Sequence, residues 1–125
     1  MKNLIIDTAG EKILFKIITD DNEYNIKHDN CTENFDKLVI LVFNFLRENH
    51  IDLSNIDNVF VNQGPGKYTS LRSAISLAKG FKISRNINIY GFYSSQIINN
   101  NHNMLLKLLK EGRLTKDFIQ PKYLN

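Results

Sequence analysis

Tryptophan is missing from the 125 residues, cysteine occurs once and proline twice. The lone Cys31 excludes an internal disulfide framework and leaves nothing to say about redox chemistry. Histidine is scarce as well. His28, His50 and His102 stand far apart without ligand-like spacing, so no metal is expected. No apolar run approaches the ~20 residues needed to cross a bilayer. The first residues lack the basic, apolar and small-residue series of a secretory signal, so cytoplasmic residence without membrane attachment is the expectation. The net charge of +3 and pI near 9.0 permit weak attraction to nucleic acid, but so small an excess is common in proteins that never touch it.

What is present is 42% hydrophobic and 23% charged residues, the composition of one globular domain with one core. The chain is organised around Gln63 to Arg72, which joins the short apolar run Val59–Val61 to a helical pattern lasting until about Ile83. Strand, tight turn and helix start follow one another here. Pro65 presets one corner of the turn, Gly66 can take the positive φ of a type II turn, and Thr69 or Ser70 can cap the helix. A phosphate cradle of the Walker type is rejected, because Gly66-Lys67 is followed by Tyr68 and lacks the upstream glycine.

Leu4–Ile6 reads as a strand buried on both faces, Ile13–Ile18 as a second, and Tyr24–His28 as a third in an antiparallel meander. Asp7, followed by Thr8, closes the first strand at its carboxyl end, where open sheets bind ligands. Two readings stand for it: the carboxylate holds a metal-bound phosphate, or it accepts backbone amides of the turn at Ala9 and Gly10, the favoured one.

Phe35 to Asn49 predicts a helix whose apolar positions cover roughly 200°, about twice what one sheet needs. Another element must cover the second flank, or a partner must. The helix from Leu71 to Ile83 turns Leu71, Ala74, Ile75, Leu77, Ala78 and Phe81 to one arc and carries a strip of small residues, Ser73, Ser76 and Gly80, which a second helix can approach closely. Asn86–Tyr90 predicts a fifth strand. The rest to Glu111 reads as mostly helical with an interruption at Asn99–Asn103, and Gly112 as a stop.

Ile6-Asp7-Thr8-Ala9, Gly64-Pro65-Gly66, Tyr68-Thr69, Leu71-Arg72, Ala78-Lys79-Gly80 and the closing Pro121-Lys122-Tyr123-Leu124 together resemble the TsaB (YeaZ) family, bacterial proteins of the glycoprotease-like, actin-type ATPase superfold. The chain departs from the family pattern at Asn34, where His is usual, at Ser70, Ala74 and Ser76, where Gly is usual, and at Asn125, where Arg is usual. The resemblance implies an α/β fold, a single ribonuclease H-like lobe with a mixed five-stranded sheet and helices packed on it. Its core would be residues 1–91, with residues 92–125 a helical segment and terminal motif in place of a second lobe lost from within.

The function it implies is that of a non-catalytic scaffold subunit in the synthesis of N6-threonylcarbamoyladenosine at position 37 of tRNA. The subunit would bind a TsaD-like catalytic subunit, with a TsaE-like ATPase joining the assembly, homodimers forming when it is alone, and tRNA reached only indirectly. The docking residues would be Leu38, Leu41, Val42 and Phe45 on the first long helix and Ser73, Ser76, Leu77 and Gly80 on the second. Gly64, Pro65, Gly66, Thr69 and Arg72 are the family motif, and Asp7 and Thr8 a remnant nucleotide site. No catalytic residue and no cofactor is expected. The alternative is a residual nucleotide-binding enzyme of the same superfold working through Asp7.

Overall fold

A computed structural model describes residues 1–123. The strands β1 (Asn3–Asp7), β2 (Lys12–Ile18), β3 (Glu23–Asp29), β4 (Asn58–Asn62) and β5 (Asn88–Phe92) form one mixed sheet in the order β3-β2-β1-β4-β5. β1–β2 and β2–β3 pair antiparallel, as the meander predicts, while β1–β4 and β4–β5 pair parallel. Every residue of β1 and β4 is buried, so their near-continuous apolar runs belong to strands covered on both faces. Asparagines fix the register at one end. Asn58 Nδ2 donates to Asn3 Oδ1 at 2.9 Å across the parallel pair, and Asn3 Nδ2 donates to the Ile18 carbonyl at 3.2 Å.

Helices α1 (Thr32–Phe35), α2 (Leu38–Glu48) and α3 (Tyr68–Arg85) lie on one face, over a core that includes Leu4, Ile6, Phe15, Val42, Phe45, Val59, Ala74 and Phe81. The expected single helix from Phe35 is thus two, separated at Asp36-Lys37, with Asn34 Nδ2 donating to the Asp29 carbonyl at 2.8 Å. The opposite face is covered by α4 (Met104–Lys110), whose Leu105 and Leu108 pack with Ile5, Phe60, Phe92 and Ile97. Residues 93–103 are less helical than expected: a 3-10 turn at Ser94–Gln96 leads into Asn99 and Asn100, both at positive φ, before α4 begins. Gly112, at φ 68°, ends it as predicted.

The corner between β4 and α3 differs from the predicted type II turn. The positive φ, 114°, belongs to Gly64, the Gly64–Pro65 peptide is cis, and α3 starts at Tyr68 without a side-chain cap from Thr69 or Ser70. Ser70 is used elsewhere: its Oγ donates to the Thr8 carbonyl at 3.2 Å while Thr8 Oγ1 donates to the Ser70 carbonyl at 2.9 Å. That exchange ties the end of β1 to the start of α3. Gly66 lies against Ala9, where a Cβ would meet the Ala9 Cα at 3.0 Å. The returning tail completes the corner, with Lys122 N donating to the Gln63 carbonyl at 2.7 Å and Gly66 N to the Lys122 carbonyl at 3.2 Å. The terminal motif is described only to Tyr123; Leu124 and Asn125 lie outside the described residues.

At Gly64 a Cβ would sit 2.3 Å from the Lys122 carbonyl oxygen, at a backbone φ that L residues avoid. Gly64→Ala is therefore expected to lower stability by about 1–3 kcal/mol, read as a fall in the urea midpoint, whereas Gly10→Ala, with open space around it, leaves the midpoint nearly unchanged.

Candidate functional site

Two places carry the residues that the sequence singles out. The first is the end of β1. Asp7 is buried, and three donors surround its carboxylate: Ala9 N at 3.1 Å and Asn62 Nδ2 at 3.0 Å on Oδ1, and His102 Nε2 at 2.8 Å from Oδ2. The favoured reading of Asp7 as acceptor for its own turn holds for the Ala9 amide. His102, which sequence spacing leaves without a role, is the unforeseen member. It is buried, with its ring edge-on to Phe92, and arrives from residues 93–103 over a separation of 95 positions. Local sequence carries no signal for such a pairing.

Asn62 is the hub of this cluster. Besides Asp7 it donates to Ser94 Oγ at 3.0 Å and accepts the Gly64 amide at 2.7 Å. Thr8 is fully buried and committed to Ser70. Beside the cluster lies a hollow of about 510 Å³ touched by Gly10, Lys12, Lys16, Lys27 and His102. Lys12 pairs with Asp29, and that contact raises its pKa and lowers that of Asp29. Lys16 lies 3.6 Å from Glu23. Among the described residues no group of three His, Cys, Asp or Glu side chains could hold a metal ion.

The second place is the outer side of α2 and α3. Of the expected docking residues, Leu38, Val42 and Phe45 are core: each is buried against the sheet, and Phe45 packs on Phe15 with ring centroids 6.2 Å apart. Val42 and Phe45 cannot present a surface, and Leu38 does no more than border the groove between the helices. The exposed apolar residues are their neighbours Val39 (50%), Ile40 (58%) and Phe43 (41%), spaced so that they form one stripe along α2. Leu41 and Leu77 are partly buried at the edge of the core. Ser73, Ser76, Leu77 and Gly80 follow one another along the α2 side of α3. With Val39 and Phe43 they line a groove of about 650 Å³ between the two helices.

Arg85 closes one end of the groove near Asp52. Asp52 caps the turn before β4; its carboxyl is held below the ordinary range first by the Ser54 amide, at 2.9 Å, and in smaller part by Arg85. In the family motif, Pro65, Thr69 and Arg72 are exposed while Gly64 and Gly66 are buried. Arg72 donates to the Tyr68 hydroxyl and lies 4.9 Å from the centre of its ring.

The family model described as TsaD, tRNA N6-adenosine threonylcarbamoyltransferase, matches residues 32–113, which include α1 to α4. The chain belongs to the TsaB (YeaZ) family. Two relatives, both named tRNA threonylcarbamoyladenosine biosynthesis protein TsaB, come from Buchnera aphidicola. That from subsp. Baizongia pistaciae (strain Bp) is 25% identical over 67% of this chain and 38% of its own length, and that from subsp. Schizaphis graminum (strain Sg) is 25% identical over 76% and 45%. The chain therefore spans less than half the length of these TsaB relatives. YeaZ from Pseudomonas aeruginosa shares the fold with a TM-score of 0.70 at 19% identity, over 89% of this chain and 49% of that one. Thermus thermophilus RuvC, solved in complex with a Holliday junction substrate, has a TM-score of 0.52 at 11% identity over 77% of this chain and 66% of its own. The expected mixed five-stranded α/β fold of ribonuclease H-like type is the one present.

Asn62 joins β1, the Gly64 corner and Ser94 through three hydrogen bonds in a buried setting. Asn62→Ala should therefore cost about 1–3 kcal/mol in urea unfolding, well beyond the near-neutral effect expected of Asn25→Ala on the exposed side of β3.

Proposed function

We propose that the chain acts in the biosynthesis of threonylcarbamoyladenosine in tRNA as an accessory, non-catalytic subunit that docks a TsaD-like catalytic subunit. The observation that carries this reading is the outer side of α2 and α3. Val39, Ile40 and Phe43 remain exposed after the core has taken Leu38, Val42 and Phe45. Beside them Ser73, Ser76 and Gly80 leave the α3 backbone open to close approach.

A groove of that kind suits an apolar helix laid along it. The contact free energy comes from removing the stripe from water at about 25 cal/mol per Å² of apolar surface. Area alone does not set affinity, since ordering and lost freedom oppose it. The same face can pair with a second copy of itself when the catalytic subunit is absent, and an ATPase of the TsaE kind would join elsewhere.

The alternative enzyme built on Asp7 has the geometry against it. Three acceptor positions of Asp7 are already taken by Ala9 N, Asn62 Nδ2 and His102 Nε2, which favours a structural role for that carboxylate.

Val39→Glu with Ile40→Glu places two charges on the stripe without touching the core, so the monomer should keep its stability to within about 1 kcal/mol. Co-expression with the TsaD-like subunit of the same cell, followed by mass determination of the purified complex, should show the complex with the parent chain and lose it with the double variant. Undiminished co-purification of the double variant would refute docking through this face. Phe45→Ala, by contrast, should cost about 3–5 kcal/mol by opening a cavity.

A further inference from the structure

Charge is divided between the two parts of the molecule. Residues 1–57 carry eleven carboxylates against six basic side chains, whereas residues 58–125 carry ten basic side chains against two carboxylates. From Asn58 to Lys110 there is no Asp or Glu at all. The division is spatial as well as sequential, because the acidic part builds β1 to β3 with α2, and the basic part builds β4, β5, α3, α4 and the tail. A net charge of +3 conceals two opposed sides.

The basic side has a definite layout. Arg72, Lys79 and Lys82 are exposed along α3, and their spacing sets them on the flank turned away from the α2 groove, which takes Ser73, Leu77 and Gly80 instead. From Arg72 to Lys82 is about 15 Å along the helix. The tail runs beside β5, joined to it where Gly91 and Thr115 exchange hydrogen bonds of 2.7 and 2.9 Å, carries exposed Lys116 with Asp117 next to it, and brings exposed Lys122 back to the corner before α3. Arg113 is set apart from these, since Glu111 lies 3.6 Å from it.

Where the tail meets the start of α3, Tyr123 packs on Tyr68 with ring centroids 4.7 Å apart, and the Arg72 guanidinium approaches the Tyr68 ring. Both tyrosines remain exposed, Tyr68 at 54%. Aromatic rings and an arginine at the end of the α3 row of cations, which no carboxylate interrupts, form the combination that binds phosphates along a strand and stacks an unpaired base.

We propose that this side, the outer flank of α3 with the adjoining tail, is a direct contact surface for RNA, with an unpaired segment meeting the Tyr68–Tyr123 pair. The inference goes beyond docking of a catalytic subunit and departs from the expectation that tRNA is reached only indirectly. A lipid surface fits less well, because the outward face of α3 offers one exposed apolar residue, Ile83, among the polar Thr69, Arg72, Ser76 and Lys79, where a membrane-lying helix needs a wide apolar face. An acidic protein would be served by the cations alone and would leave the exposed tyrosines without a role.

The test measures fluorescence anisotropy of labelled, unmodified tRNA transcript, a labelled RNA duplex of similar mass, and phosphatidylserine-containing vesicles, each titrated with the full chain between about 50 and 200 mM salt. Binding to the transcript should weaken steeply with salt. R72E/K79E/K82E should weaken it at least about tenfold and lower the log–log salt slope by about 2. Lys116→Glu with Lys122→Glu should act in the same direction, which guards against a folding defect in either variant. Tyr68→Ala should weaken the transcript more than the duplex, and Lys27→Glu on the acidic side should change neither.

Absence of transcript binding at about 100 μM protein would overturn the proposal. So would an equal loss from Lys27→Glu, or vesicle binding tighter than transcript binding. These substitutions leave the α2–α3 groove intact, so capture of a TsaD-like subunit by R72E/K79E/K82E reports on the docking reading separately.

Discussion

The structure depends on a sheet whose two central strands are apolar on both faces. β1 and β4 expose none of their residues, so neither face can be left to solvent. α2 and α3 cover one face and the short α4 the other, and the placement of every remaining group follows. With α2 and α3 side by side on one face, their outer flanks are the surfaces left over. With α4 approached through residues 93–103, a histidine is delivered to the end of β1. Covering both faces of a small sheet thus generates both the apolar groove and the closed strand end.

The strand end shows how buried polarity is handled here. Asp7, Asn62, Ser94 and His102 would be unfavourable singly in such a setting, but together they satisfy one another. The cluster joins the turn after β1, the corner after β4 and the segment after β5, which makes it a fastening between three loops that otherwise share little. Thr8 and Ser70 add a second fastening through reciprocal hydrogen bonds. The carboxylate at the carboxyl end of β1 thereby links three loops through the groups that hydrogen-bond around it.

Much of the architecture was legible in the residues. The apolar runs at Leu4–Ile6 and Val59–Val61 announced buried strands, and the small strip on α3 announced a face open to close approach. The rotation of α2 was not legible. The apolar arc spans roughly 200°, so periodicity does not say which part of it faces the sheet, and only contact with Phe15 and the sheet selects Leu38, Val42 and Phe45 for the interior. His102 was hidden for a different reason, since a pairing across 95 positions leaves no local pattern. The turn at Gly64 was half legible: Gly-Pro-Gly marks a tight corner, but the positive φ falls on Gly64, packed against the Lys122 carbonyl from far along the chain, a contact that no local pattern announces.

That last contact bears on how the molecule is made. The corner at Gly64 rests on two hydrogen bonds, from Lys122 N to the Gln63 carbonyl and from Gly66 N to the Lys122 carbonyl. On a ribosome, where earlier residues emerge and begin to fold first, α3 would leave the exit tunnel long before the segment that locks its base. The nascent sheet would carry its fourth strand with an unlatched hinge until Lys122 had emerged, and quality control during translation would meet a loose corner where the folded protein has a sealed one.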